Sequence, residues 1–157
     1  MSATARVDRN DLGFLLARAT QRWNELLAER FAAHGYSEVR PSYGSVLLPL
    51  YEEDGLRMGE LAARARLSKQ TMTQMIARLE RDGLVKRLAD PDDGRATLVY
   101  LTTRARQFEP VAAGVLAELD RLVKRRLGPE QVAVLKEAMR ELMDLDAPVP
   151  RPIEAKF

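Results

Sequence analysis

Between residues 57 and 102 the spacing of apolar residues changes from helical to alternating, and this stretch limits the fold more than any other. Two amphipathic runs, "RMGELAARA" and "SKQTMTQMIARLERDG", are joined only by "RL", which is the spacing of a helix-turn-helix. Met58, Leu61, Ala62 and Ala65 share a face of the first, and Met72, Met75, Ile76 and Leu79 share a face of the second. Ser68 is placed to N-cap the second helix and Gly83 to end it. "LVKRLA" and "ATLVYL" follow as β-prone runs on either side of an acidic turn, which predicts a hairpin, and Thr102 can cap the next helix.

The flanks are helical. Leu12, Leu15, Leu16, Ala19, Trp23, Leu26 and Leu27 recur at helical spacing over residues 11–33, and Gly35 ends that helix. Pro41 opens a short apolar helix that Pro49 is expected to kink. After the hairpin, residues 103–127 and 130–145 carry apolar stripes, Val111, Val115, Leu119, Leu122 and Val123 in one and Val132, Leu135, Met139, Leu142 and Met143 in the other. Gly128 and Pro129 divide them, and Pro110 is expected to bend or delay the first. Residues 146–157 are Pro-rich and aperiodic, an arm rather than an element.

Composition removes several function classes. A chain of 157 residues suits one domain, or a small domain with a helical dimerisation layer. No apolar run approaches the roughly 20 residues that span a bilayer, and "MSATARVDRN" lacks a secretory pattern, so a cytoplasmic protein with no membrane partner is expected. Zero cysteines exclude disulfides and thiolate metal sites, and the single histidine, His34, leaves little for metal or imidazole chemistry. No Gly-x-Ser-x-Gly, phosphate-cradling glycine loop or His pair is present, so neither an enzyme nor a cofactor is expected. A calcium loop fails at Gly94 and Leu101, where ligands would be needed. The net charge of +2 hides an uneven distribution: residues 57–106 hold eleven Lys or Arg against six Asp or Glu.

This order of elements resembles the MarR (multiple antibiotic resistance) family of winged helix-turn-helix transcription regulators over about residues 10–145. The resemblance is carried by "ELAARARLSKQTMTQMIARLERDGLVKRLADPDDGRATLVYLT", with its Leu-Glu-x-x-Gly-Leu-Val-x-Arg junction and its Asp-Pro-x-Asp-x-Arg wing ending in Leu-Thr. Gly94 departs from the basic residue common in the wing, and Ala105 from a glycine that often follows Leu-Thr. The resemblance implies a mainly α fold with a small β-hairpin wing. It places DNA binding in residues 36–102 and dimerisation in residues 10–35 and 103–145. It further implies a ligand-responsive repressor that acts as a homodimer on an inverted repeat in double-stranded DNA, the alternative being a winged-helix module for protein contacts.

If the apolar face of the second helix of the motif is inward, Gln70, Thr73 and Gln74 face outward. Gln pairs bidentately with adenine, and a small Thr face can touch a thymine methyl. Ser68, Lys69, Thr71 and Arg78 flank that face and suit phosphates. A solvated polar face alone would look the same. Three aspartates, Asp90, Asp92 and Asp93, crowd the wing tip, where Asp93 is expected to orient Arg95 by a bidentate pair while Asp90 and Asp92 cap the turn. By resemblance, Arg95 reaches a minor groove, where narrow A·T-rich segments concentrate negative potential. The family also implies a small phenolic or anionic effector, for which Trp23, His34, Tyr36, Tyr43 and Tyr51 could line a crevice beside Arg22 or Arg40. The same aromatics would equally serve a core.

Overall fold

The computed structural model describes residues 6–148. Residues 149–157 of the expected Pro-rich arm lie outside them. Helix α1 spans Leu12–Ala33, capped by the Asp11 carboxylate, which accepts the Gly13 and Phe14 amides. A 3-10 turn, Pro41–Tyr43, leads into α2, Gly44–Glu52. Then come β1, Leu56–Arg57; α3, Met58–Ala65; α4, Lys69–Arg81; β2, Val85–Asp90; β3, Asp93–Leu101; α5, Thr103–Leu127; and α6, Pro129–Met143. No helix among the described residues is long and apolar enough to cross a membrane.

The helix-turn-helix closes as its spacing predicts. Arg66 turns the chain in the left-handed region at φ 52°, and Leu67 N–H reaches back to the Ala62 carbonyl at 3.0 Å. Met72, Ile76 and Leu79 of α4 are wholly buried with Leu61 of α3, whereas Met75 is only half-buried, its sulfur accepting the Ser45 hydroxyl. Each such burial removes roughly 1.5–3 kcal/mol of apolar surface from water. Ser68 caps α4 by accepting the Thr71 amide at 3.1 Å. Gly83 ends it at φ 77°, where a Cβ would be strained.

The hairpin is part of a three-stranded antiparallel sheet in the order β1-β3-β2. Leu56 pairs with Val99, and Val85 with Leu101; past Ala89–Thr97 a bulge shifts the register to Asp90–Asp93. Asp54 fastens this sheet to the start of α5, since its carboxylate accepts the Leu101 amide at 2.9 Å and pairs with Arg106. Thr102 bridges the same corner, donating to the Gly83 carbonyl at 2.7 Å and accepting the Ala105 amide at 3.2 Å. Helix α5 neither starts late nor breaks at Pro110, which sits inside it and costs only the bond to the Arg106 carbonyl.

Contacts divide the chain into two compact units after Leu116, inside α5. In the first, Phe31 of α1 meets Phe108 of α5 edge-on, ring centres 4.8 Å apart, and Tyr36 lies against the same ring. Arg104 stacks 3.9 Å over Tyr36 while donating to Glu38 at 2.7 Å. Its apolar surface is incomplete, for Leu12, Phe14, Leu15 and Leu16 of α1 are exposed. In the second unit, Leu119 and Val132 are buried and Asp120 pairs with Lys124 and Lys136. Leu122, Val134, Leu135, Met139, Leu142 and Met143 remain exposed there.

One polar contact ties the turn before α2 to the end of α4. Tyr43, 1% exposed, donates its hydroxyl to Asp82 at 2.5 Å. That bond chiefly, with Arg81 and Arg40 adding to it, holds the Asp82 carboxyl below its ordinary value of 3.8. Tyr43→Phe should therefore cost about 1.5–3 kcal/mol of stability, read from the denaturant midpoint. Because the folded-state pKa is depressed, the contribution is full above 3.8 and is lost as pH falls through the folded value. The gap between wild type and variant should accordingly be largest near neutrality and close in acid.

Candidate nucleic-acid interface

The buried face of α4 fixes what its other face presents. Ser68, Lys69, Gln70, Thr71, Thr73, Gln74 and Arg78 are all exposed. They divide by what already occupies their polar atoms. Ser68 donates to the Thr71 hydroxyl at 2.8 Å, so this pair is held at the helix start, and Thr73 donates back to the Lys69 carbonyl at 2.8 Å. With its proton committed, Thr73 offers a partner its methyl and a lone pair. Gln70, Gln74, Lys69 and Arg78 make no side-chain hydrogen bond or ion pair among the described residues. Two extended amides therefore stand between unpaired cations, a set able to read base edges and hold phosphates.

The wing departs from the sequence expectation. Asp93 accepts the backbone N–H of Arg95 at 3.1 Å, and no ion pair joins the two side chains. Asp90 instead makes the arginine pair, but with Arg57, at 2.6 Å. Its side chain is only 6% exposed, and it also accepts the Asp92 amide at 2.9 Å. That backbone bond first, and Arg57 after it, lowers the Asp90 pKa. Asp90 is thus both turn cap and anchor, while Asp93 is a turn cap. The physical reason is position: Asp90 ends β2 with its side chain buried, where Arg57 of β1, on the other side of β3, reaches it, whereas Asp93 sits on the exposed tip next to the Arg95 amide. The Arg95 guanidinium is left unpaired among the described residues.

Arg57 went unnoticed in the sequence because β1 is two residues long and carries no periodicity. With Lys69, Thr73 and Arg95 it lines an open cleft of about 570 Å³ between the starts of α3 and α4 and the wing. Glu60 is the cleft's one acidic lining residue. Arg87 of β2 holds the wing base to α4 through both oxygens of Glu80, at 2.8 and 3.1 Å.

A second, more apolar cleft of about 460 Å³ lies among α1, α2 and α5. Leu27, Phe31, Leu47, Phe108 and Ala112 form its walls, and Arg40, Tyr51, Glu52 and Glu109 supply its polar groups. Of the five residues expected to line a crevice, Tyr51 alone does so. Tyr36 is buried under Arg104, Tyr43 turns to Asp82, and His34 donates from Nδ1 to the Arg30 carbonyl as it ends α1. Trp23 is half-buried on α1 outside the lining. Of the two arginines, Arg40 lines the cleft; Arg22 pairs with Glu25 and Glu29 on its own helix.

Residues 41–97, which hold α2, the helix-turn-helix and most of the wing, match the MarR family model. The HTH-type transcriptional repressor Mb2911 of Mycobacterium bovis is 32% identical over 93 residues, 59% of this chain and 67% of that protein. The chain belongs to the MarR family of transcriptional regulators. The match extends beyond the motif in solved structures of other regulators. PcaV from Streptomyces coelicolor, in complex with its natural ligand, superimposes with a TM-score of 0.75 at 26% identity, covering 90% of this chain and 98% of PcaV. The repressor CouR, bound to a 23-mer DNA duplex, does so with a TM-score of 0.73 at 26% identity, covering 88% of this chain and 99% of CouR. This MarR-family chain thus shares the winged-helix fold over nearly its whole described length.

The two wing aspartates can be told apart by amide exchange. Asp93→Ala should speed exchange at Arg95 alone, because it removes one turn cap. Asp90→Ala should speed exchange at both Asp92 and Asp93, whose amides it accepts. The same pattern for both variants in an NMR exchange series would contradict this division.

Proposed function

We propose that this chain is a small-molecule-responsive repressor that binds, as a homodimer in the cytoplasm, to an inverted-repeat operator. In this reading residues 36–102 read DNA and residues 10–35 and 103–145 associate. The observation that carries it is the exposed α4 face, where Gln70 and Gln74 stand free between Lys69 and Arg78 with the unpaired Arg95 beyond them. Gln70 and Gln74 read adenines; Ser68, Lys69, Thr71 and Arg78 hold phosphates; Thr73 meets a thymine methyl. Arg57 joins the phosphate contacts from the cleft it shares with Lys69. Arg95 enters a minor groove, and Asp93 shapes the turn that presents it. CouR, a neighbour in fold, is a repressor bound to duplex DNA, and PcaV is a regulator bound to its ligand, which supports both halves of the reading.

Selection from a random duplex pool should return inverted repeats with half-sites ~10 bp apart, centre to centre. Gln74→Ala should cost ~1–3 kcal/mol and relax one adenine position per half-site, whereas Arg95→Ala should weaken A·T-flanked sites more than G·C-flanked ones. Binding that lacks a steep negative salt slope would favour a protein-contact module instead.

Association rests on apolar faces that each unit leaves uncovered: Leu12, Leu15 and Leu16 in α1, and Leu135, Met139 and Leu142 in α6. These exceed the scattered exposed apolar residues of a monomer's surface. Replacing Leu135 and Leu142 with Asp should give a folded monomer in sedimentation, since a buried unpaired carboxylate costs several kcal/mol. A tight dimer of that variant would place the interface elsewhere.

A further inference from the structure

The polar end of the cleft among α1, α2 and α5 has the opposite sign from the one a carboxylate or phenolate needs. Glu109 and Glu52 are exposed at its rim, and neither makes a hydrogen bond or ion pair among the described residues. Arg40 is the one basic residue of the lining, set against these two carboxylates. Tyr51 has no proton to offer, because its hydroxyl donates to the Ala105 carbonyl at 2.8 Å and leaves only oxygen lone pairs. Glu109 lines the same cleft as Tyr51, whose pKa burial, and after it the charge of Glu109, push far upward.

An anion entering here would thus meet two carboxylates and lone pairs, with Arg40 as its only cationic donor. A cation meets the acceptors of Glu52, Glu109 and Tyr51 beside apolar walls that include the edge-on Phe31–Phe108 pair. We propose that this cleft takes an apolar amine, protonated at neutral pH, whose ammonium group pairs with Glu109 while its hydrocarbon body fills the space between Leu27, Phe31 and Phe108. As an effector, such an amine rests on the regulatory reading above; as a ligand, it rests on the cleft alone. A volume near 460 Å³ suits a molecule of drug-like size rather than a bare ammonium ion.

The test uses the full chain without DNA, titrated calorimetrically at neutral pH with phenylbutylamine and with phenylbutyrate, which share an apolar body and differ in charge. The amine should bind about tenfold tighter than the acid or better. Glu109→Gln should erase most of that preference, and Glu109→Lys should reverse it. Because Glu109 is exposed, both variants should fold, which their thermal unfolding checks. Tighter binding of the acid, equal binding, no binding of either, or a preference that survives in Glu109→Gln would each overturn the proposal. A parallel DNA titration with the amine separates the two readings. Amine selectivity without any change in DNA affinity would remove the effector role and leave the cation site standing, whereas DNA binding that the amine weakens without Glu109-dependent selectivity would do the reverse.

Discussion

The burial of one face of α4 is the constraint on which the rest of the molecule depends. Met72, Ile76 and Leu79 have no exposed surface, and a helix that buries positions at this spacing must turn Gln70, Thr73, Gln74 and Arg78 to the opposite side. Sliding the helix by one residue would expose large apolar side chains, at a cost of several kcal/mol. The helix is therefore held in one rotation about its axis by packing, and its polar side is free to be chosen for recognition. A base-reading surface needs this arrangement, because bidentate contacts lose their discrimination when the side chains that make them can wander.

Electrostatics completes what packing begins. Four acidic residues around the helix-turn-helix are occupied internally, Glu80 by Arg87, Asp82 by Tyr43 and Arg81, Asp90 by Arg57, and Glu53 by Arg64, whereas Glu60 of α3 has no such partner among the described residues. Their charge is spent on cations that hold the wing and the helices in place, which leaves Lys69, Arg78 and Arg95 unpaired on the outer side. The acidic wing tip becomes intelligible on these terms. Asp90 is turned inward and neutralised by Arg57, and Asp93 is engaged by a backbone amide, so the repulsion that three clustered aspartates would exert on phosphates is reduced where the chain bends.

The elements with strong periodicity were legible from the residues alone. The helix-turn-helix, the caps at Ser68 and Thr102, the hairpin and the divide at Gly128 each follow from a local pattern with a local cause. What the sequence could not show depends on partners far along the chain. Strand β1 is too short for alternation and exists because β3 has a free edge there. Which aspartate holds an arginine was decided by the bulge at Ala89–Asp90, which no spacing rule reveals. The tyrosines illustrate the same limit: Tyr36, Tyr43 and Tyr51 look alike in sequence, yet their partners are Arg104, Asp82 and the Ala105 carbonyl, and only Tyr51 is left facing a cleft.

Those partners also bound how strongly the cleft and α4 can influence each other. Arg40, Pro41 and Gly44 line the cleft, Tyr43 lies between them in the chain, and its hydroxyl ends on Asp82, the residue that caps α4. A single hydrogen bond of this kind, to a carboxylate, is worth about 1.5–3 kcal/mol, which converts to roughly a ten- to hundredfold change in an equilibrium. A switch from mostly bound to mostly released operator needs a differential near 5 kcal/mol, on the order of several such contacts acting together. In the ligand-responsive reading proposed above, the Tyr43–Asp82 bond is one strand of such a connection, and packing that moves with it would carry the remainder. Val46 and Leu47 of α2 and Leu79 and Leu84 around the end of α4 are buried, and a close-packed interior rearranges only as a set. Under the ligand-responsive homodimer proposed above, an effector in the cleft would act on such a set in both subunits, so that modest energies at each contact would add up to the differential that release requires.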